Sequence, residues 1–563
     1  MRRLEPLWVL LGYAVASVAL IGRFWLADPR DAVVGSYGAD QGFFAWSLVH
    51  WVEVIASGQA PFLTDRIDAP GGFNLAWATT IPGPALLLAP LTALAGPLVS
   101  YNLLAIAAPA LAAWTAYLLC RHLTADPVAS IIGGWAFGFS SYMLGETLNH
   151  INLALVWTLP LIVLVTVRLV EGSLRPRRAA AALAALIGMQ FLTFSEIAAT
   201  GALVGAIVLA IALAAGPADT RRRIVRALPW LAAGCAGGLA LASPLLIAAF
   251  RHPNPIDERI RPDLYPLDLR NLWVPTRITW LGGARFQDES LRFVGNLTEQ
   301  LGYIGPVLIV VALAGAIRWR RERWVWVTVA GVAVSIVLAL GAHLTIGGVA
   351  GRTMPWEAIT HLPLIRLALP TRIVVYGWLG IAVLAALFAM RDPRERPYVA
   401  GARLGVAVLA LVCLLPAPRA DLWRTPLETP PGIASGEATA DIPDDAVVLI
   451  LPYSFRGNGM YWQALAGMRY RMAGGYSAAA VPAQYARFPV VMGFYGDQLP
   501  ANPRQELLRY LAFTGTSWVL VDARRPGPWA QFLREAGGEP SEVGGVVRYR
   551  FDPARVRAQA RGA

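Results

Sequence analysis

The chain has 563 residues, 56% of them hydrophobic and 15% charged, with a mean hydropathy of +0.51 and a formal net charge of +12. That apolar fraction excludes a soluble multidomain protein, and 20 Trp, 19 Phe and 17 Tyr supply far more buriable surface than a disordered scaffold carries. All 48 basic residues are arginine, in short clusters between apolar runs, a pattern of membrane topology rather than of a phosphate-tracking groove, so no nucleic-acid partner is expected.

Arg2 and Arg3 precede an apolar run over residues 7–26, too long for a signal-peptide core and without a convincing cleavage site, which reads as an uncleaved first span. The loop that follows, 27–80, carries Asp40 and then an aromatic-rich stretch, 41–57, whose helical spacing gathers Ser47, His50, Glu53 and Ser57 on one face. Such a helix is expected to lie in the membrane interface. Asp65 and Asp68 flank Arg66 and read as a solvated ion-pair turn. Residues 81–100 are apolar but hold Pro82, Pro84, Pro90 and Pro97, so a proline-broken hairpin dipping in from outside is expected.

Further spans are expected at 101–119, 128–144, 151–170, 179–197, 200–215, 227–250, 301–317, 324–344, 373–390 and 404–415, which makes eleven with the first. Clusters at Arg175/Arg177/Arg178, Arg221/Arg222/Arg223/Arg226, Arg318/Arg320/Arg321/Arg323 and Arg391/Arg394/Arg396 alternate as cytoplasmic loops with the N-terminus inside. Loops 27–80, 145–150, 251–300 and 347–372 then face outward. Cys120, Cys235 and Cys413 have unrelated spacings and indicate neither disulfide nor metal knuckle. Beyond Pro416 the pattern changes to strand-like runs at 446–451, 517–522 and 546–551 alternating with helical ones at 503–513 and 528–536. The fold class expected is therefore an all-α polytopic membrane domain, 1–416, followed by a soluble α/β domain, 417–563, on the outer side.

The spans are poor in charge apart from Glu196, whereas polar residues concentrate in the outward loops, which favours chemistry at the outer surface over a path through the bilayer. The first-loop Asp, the interfacial helix, the proline-rich re-entry and the many spans, together with GGFNL at 71–75, YNLL at 101–104, LNHINL at 148–153 and GYIGP at 302–306, resemble the C-type (GT-C) superfamily of membrane glycosyltransferases. That superfamily includes protein O-mannosyltransferases and bacterial aminoarabinose transferases. The resemblance covers roughly residues 1–415 and implies a polyprenyl-phosphate sugar as donor and Asp40 as catalytic base. One departure is that Asp40 is followed by Gln41 and not by the second acidic residue of the mannosyltransferase branch, so no metal or other cofactor is predicted.

Transfer from a lipid phosphate also needs cations for the leaving group, and Arg366 and Arg372, just before the tenth span, sit at headgroup level, with Arg259, Arg261 and Arg270 as competing candidates. Glu196 and His150 are candidate cavity residues. Each has a structural alternative: Asp40 as an N-cap, the arginines as ordinary headgroup contacts, His150 as a hydrogen-bonded loop residue beside Asn149 and Asn152. Asn296-Leu297-Thr298 matches a glycosylation triplet of low specificity, and Asp257, Glu258, Asp263 and Asp268 read as a solvated acidic lid. The function expected is an inverting hexosyl- or pentosyltransferase of the bacterial inner membrane, acting at the periplasmic face on a glycan, lipid or protein acceptor of the cell envelope. A lipid-linked saccharide flippase or exporter and a non-catalytic membrane assembly protein are the alternatives.

Overall fold

The computed structural model describes residues 4–27, 29, 31–36, 39–252, 265–362, 365–476, 481–496 and 498–562. Its larger part is helical, and its local sequence explains most of the helix ends. Pro82, Pro97, Pro127, Pro176, Pro306 and Pro397 each open a helix, where the missing N–H would have no partner in any case. Asp126 caps the helix Pro127–Gly138 by accepting from Val128 N at 3.0 Å and Ala129 N at 3.2 Å, and Ser140 caps Ser141–Asn149 through Met143 N at 3.2 Å.

Among the described residues, five helices are long and apolar enough to cross a membrane: Pro97–Thr124, Ile151–Glu171, Ser195–Ala215, Ala218–Leu241 and Pro370–Ala389. Pro127–Gly138 and Ser141–Asn149, bent by 43°, make a sixth if they form one span. Glu5–Leu20, Pro82–Ala95, Pro306–Arg318, Arg323–Ala339 and Pro397–Val412 are apolar but of 10–17 residues. About 20 residues at about 1.5 Å each are needed for about 30 Å of hydrocarbon, so helix length alone supports five or six crossings. Residues 81–100 do not fold as the hairpin their prolines suggested. They form the helix Pro82–Ala95, with Pro90 inside it, and the chain then turns at Gly96, φ +87°, into the 28-residue Pro97–Thr124.

The helices Pro97–Thr124, Pro127–Gly138 and Val374–Ala389 form the centre of the bundle. Small residues allow the close approach: a Cβ on Gly138 would lie 2.5 Å from Ala113 N and 2.5 Å from Pro109 O. The C-terminal part contains a five-stranded sheet of β1 (Val447–Leu451), β2 (Arg471–Met472), β3 (Trp518–Asp522), β4 (Glu539–Val543) and β5 (Val546–Arg550), in the order β4-β5-β3-β1-β2. β1 pairs in parallel with β2 and β3, while β5 runs antiparallel to β3 and β4. β1 and β3, VVLIL and WVLVD, are buried almost throughout, as strands covered on both faces must be.

The first loop is built into this C-terminal part. Arg66 O accepts from Met472 N at 2.8 Å and Ala69 N donates to Met472 O at 2.9 Å, so residues 66–69 add backbone bonds along β2. Trp46 Nε1 donates to Gln463 Oε1 at 2.6 Å, and Ala32–Val33 pairs with Thr425–Pro426. Helix Ala39–Ser57 therefore buries the face carrying Ser47 and His50, with the His50 ring stacked on Trp46 at 5.1 Å. Burial pulls the His50 imidazole below its ordinary value. Asp68 is also no solvated turn residue: it is 1% exposed, and neither carboxylate oxygen has a hydrogen-bond partner among the described residues.

Candidate active site

Asp40 lies in the first turn of helix Ala39–Ser57, and the chain before it is fixed by Asn102 of the YNLL segment, which accepts from Val34 N at 2.7 Å and donates to Ala32 O at 2.9 Å. Gln41 helps to close the same turn by donating to Leu148 O at 3.1 Å. One oxygen of Asp40 accepts a short bond from the Tyr476 hydroxyl, and the other lies 3.5 Å from His150 Nε2. The side chain stays 22% exposed, so it is held and yet reachable.

His150 ends the helix Ser141–Asn149, four residues after Glu146, and its Nδ1 is 2.8 Å from Glu146 Oε2 and 3.8 Å from Glu299 Oε1. Burial opposes the imidazolium, but the hydrogen bond to Glu146 and the charges of Glu146, Glu299 and Asp40 outweigh it and hold His150 at about 9. Glu299 ends the turn Leu297–Glu299, capped by Asn296, whose Oδ1 accepts from Thr298 N at 2.9 Å and Thr298 Oγ1 at 2.7 Å. The glycosylation-like triplet is thus the cap that presents Glu299.

Arg372 closes the chain of charges. Its Nε donates to both Glu299 oxygens at 3.2 Å, and its Nη1 donates to Glu196 Oε2 at 2.9 Å. Glu196 opens the helix Ser195–Ala215 and also accepts from Leu369 N at 3.3 Å. Four carboxylates, Asp40, Glu146, Glu299 and Glu196, here face one imidazole and one guanidinium, leaving a surplus of negative charge. Glu146, His150 and Glu299 each present a ligand atom, all within 4.8 Å of one another. Two hard oxygens and an imidazole nitrogen would suit a divalent cation only with His150 deprotonated; as an imidazolium bonded to Glu146, His150 itself supplies positive charge to the carboxylates. No adjacent acidic pair signals this set; Glu146 and His150 are four residues apart on one helix end, and only the fold brings Glu299 to them.

Of the residues singled out in the sequence, the structure therefore brings together Asp40, His150, Glu196 and Arg372. Arg366 is exposed in the turn Ile365–Leu367, while Arg270 pairs with Glu289 at 2.9 Å. Arg259 and Arg261 lie outside the described residues, as do Asp257, Glu258 and Asp263. Asp268 is no part of a solvated lid: it is buried and accepts from Gly347 N at 3.0 Å and Gly348 N at 2.7 Å. Sequence reasoning missed Glu146, Glu299 and Tyr476. The first was signalled by its i, i+4 spacing to His150; the other two had no local signal.

This arrangement of apolar helices, first-loop carboxylate and packed C-terminal sheet is the fold of the GT-C membrane glycosyltransferases. The archaeal oligosaccharyltransferase AglB from Archaeoglobus fulgidus is similar with a TM-score of 0.50 at 13% identity, over 100% of this chain and 78% of that one. ArnT from Cupriavidus metallidurans gives 0.51 at 12% identity, over 97% and 99% of the two chains. The arabinofuranosyltransferase AftD from Mycobacteria gives 0.55 at 16% identity over 96% of this chain but 39% of that protein, of whose length the chain spans about two fifths. By sequence, residues 9–417 match the family described as a domain of unknown function (DUF6311), and the chain belongs to that family. A search of the curated proteins finds no match.

Proposed function

We propose that this protein is an inverting glycosyltransferase that moves a sugar from a polyprenyl-phosphate carrier to an acceptor at the outer, periplasmic face of a bacterial inner membrane. The observation that carries the reading is Asp40, partly exposed and held between Tyr476 and His150 at the edge of a buried acid–base chain, in a GT-C fold. The archaeal AglB structure contains a dolichol-phosphate, which supports a lipid phosphate as the carrier class here.

In this reading the acceptor hydroxyl attacks the anomeric carbon while Asp40 takes its proton, and the carbon–oxygen bond to the carrier phosphate breaks with its electron pair leaving on the phosphate. Arg366, exposed near headgroup level, meets that phosphate. Arg372, whose donors are bound by Glu299 and Glu196, sets the positions of those carboxylates and lines the inner wall with Glu196 and His150. In this reading the C-terminal α/β part lies on the side of the first loop, which the backbone bonds between residues 66–69 and β2 support.

The test is transfer from a labelled polyprenyl-phosphate sugar by the purified protein. Asp40→Asn is expected to lower the rate by about 10²–10⁴-fold, the range of a lost general base, with the thermal unfolding transition unchanged. Equal transfer by both proteins overturns the role of Asp40, and no transfer to any extracted envelope acceptor overturns the enzyme reading.

A further inference from the structure

Two short loops at one end of the helical bundle concentrate arginine. Residues 318–323 join the helices Pro306–Arg318 and Arg323–Ala339, and residues 390–396 join Val374–Ala389 to Pro397–Val412. Over 318–323 and 391–403 the chain carries eight arginines and only three carboxylates, Glu322, Asp392 and Glu395. Glu395 ties the two loops together: it accepts from Arg318 Nη1 and Nη2, each at 3.3 Å, and from Arg403 Nε at 2.9 Å. Arg391 N donates to Asp126 Oδ2 at 3.0 Å, which fixes the second loop to the cap of Pro127–Gly138. Around this paired centre Arg320, Arg321, Arg323, Arg391, Arg394 and Arg396 are all exposed. None of these residues belongs to the acid–base chain of the candidate active site.

Helix length decides what these arginines meet. Pro306–Arg318, Arg323–Ala339 and Pro397–Val412 have 13, 17 and 16 residues. At about 1.5 Å per residue they are about 20–26 Å long, against about 30 Å of hydrocarbon. Spans this short thin the bilayer around them and draw their ends inward, so the loops at those ends lie among the headgroups and not in bulk water. The flanking side chains are those of such a boundary: Ile317 is 59% exposed, Trp326 56% and Tyr398 68%. The Trp326 indole N–H donates to Arg320 O at 2.9 Å, and Arg396 Nη1 donates to the Tyr398 hydroxyl at 3.1 Å, so apolar rings and guanidinium groups are held side by side. That mixture suits the level where acyl chains meet phosphates, and guanidinium offers paired donors to phosphate oxygens. Membrane topology asks only for positive charge on each loop; it does not ask two loops to be bonded together around one shared carboxylate.

We infer that the two loops together form one binding site for an anionic phospholipid, whose phosphate lies among the six exposed arginines and whose acyl chains cover Ile317 and Trp326. A lipid held there braces the ends of four helices whose loops, by their like charge, otherwise repel one another. The inference stands whether or not the first-loop site transfers sugar, because it concerns lipid binding alone.

Native mass spectrometry and thermal unfolding of the full-length protein test it, in nanodiscs of phosphatidylcholine with and without phosphatidylglycerol or cardiolipin. The wild type is expected to retain anionic lipid on release and to unfold several degrees higher when that lipid is present. Inorganic phosphate added to the phosphatidylcholine nanodiscs is expected to give no such rise. Arg320→Gln/Arg321→Gln/Arg323→Gln should lower retention about fivefold or more and abolish the rise. If that variant does not fold, Arg391→Gln/Arg394→Gln/Arg396→Gln in the other loop replaces it with the same expectation. Arg555→Gln/Arg557→Gln/Arg561→Gln removes the same charge from the helix Pro553–Gly562 and should change neither readout. Absence of retained anionic lipid in the wild type overturns the inference; so does unchanged retention in the folded loop variant, an equal loss in the Pro553–Gly562 variant, or an equal rise with inorganic phosphate alone.

Discussion

Asp40 meets two partners of different kinds: a neutral phenol from the C-terminal part and an imidazole that its carboxylate neighbours keep protonated. The imidazolium of His150 persists well above 6.5, the ordinary histidine value, so its pairing contributes stability that is complete below 6.5 and lost as pH rises through about 9. Transfer is expected to show an alkaline limb near that pH. Glu146→Gln removes the main charge holding the proton, and the limb should move to lower pH, read in the pH profile of the rate. Asp68 has the same sign from a different cause. Burial raises its carboxyl from 3.8 to about 7, so below 3.8 it is neutral in folded and unfolded chain alike, and between the two values only the unfolded chain releases its proton. Stability should fall as pH rises from about 4 to about 7, and Asp68→Asn should flatten that dependence and raise the unfolding temperature at pH 8.

Elements differ in how far local sequence specifies them. Prolines and caps mark the helix starts, and the strand-like runs at 446–451, 517–522 and 546–551 are found as β1, β3 and β5. β2 has only two residues and β4 reads EPSEV, almost wholly exposed at the sheet edge, so neither carries the apolar signal by which a strand is recognised. The prolines of 81–100 misled for a related reason: Pro82 and Pro84 sit in the first turn of their helix, where no donor is lost, and the break falls at Gly96 instead. At the bundle centre the demand on Gly138 is steric. Gly138→Val should destabilise the protein by about 1–3 kcal/mol, because Ala113 and Pro109 belong to a neighbouring helix that cannot yield by a full ångström, and thermal unfolding in detergent measures it.

The whole molecule joins what the chain separates. Tyr476 and Asp40 are 436 residues apart, Gln463 and Trp46 are 417 apart, and Arg372 and Glu196 are 176 apart. The C-terminal part is therefore a wall of the candidate site, and residues 66–69, bonded to β2, couple its position to the first loop. Tyr476→Phe removes only the phenol that holds Asp40 and is expected to lower transfer several-fold while raising KM little. A chain ending at residue 416 keeps every charged residue of the cluster yet should lose most of its transfer, as loop 27–80 loses its packing against Gln463 and Met472.

The sequence by itself determined that this is a polytopic membrane protein with a polar first loop and Asp40 at the start of a helix, because hydropathy, caps and charge clusters act over a few residues at a time. It also marked His150, Glu196 and Arg372, since charge beside an apolar run is visible locally. Tertiary structure alone decided that these three share one network with Glu146, Glu299 and Tyr476, and that Asp68 and His50 are buried. Burial and pairing of a charge depend on which distant segments close around it, and no periodicity in the chain records that.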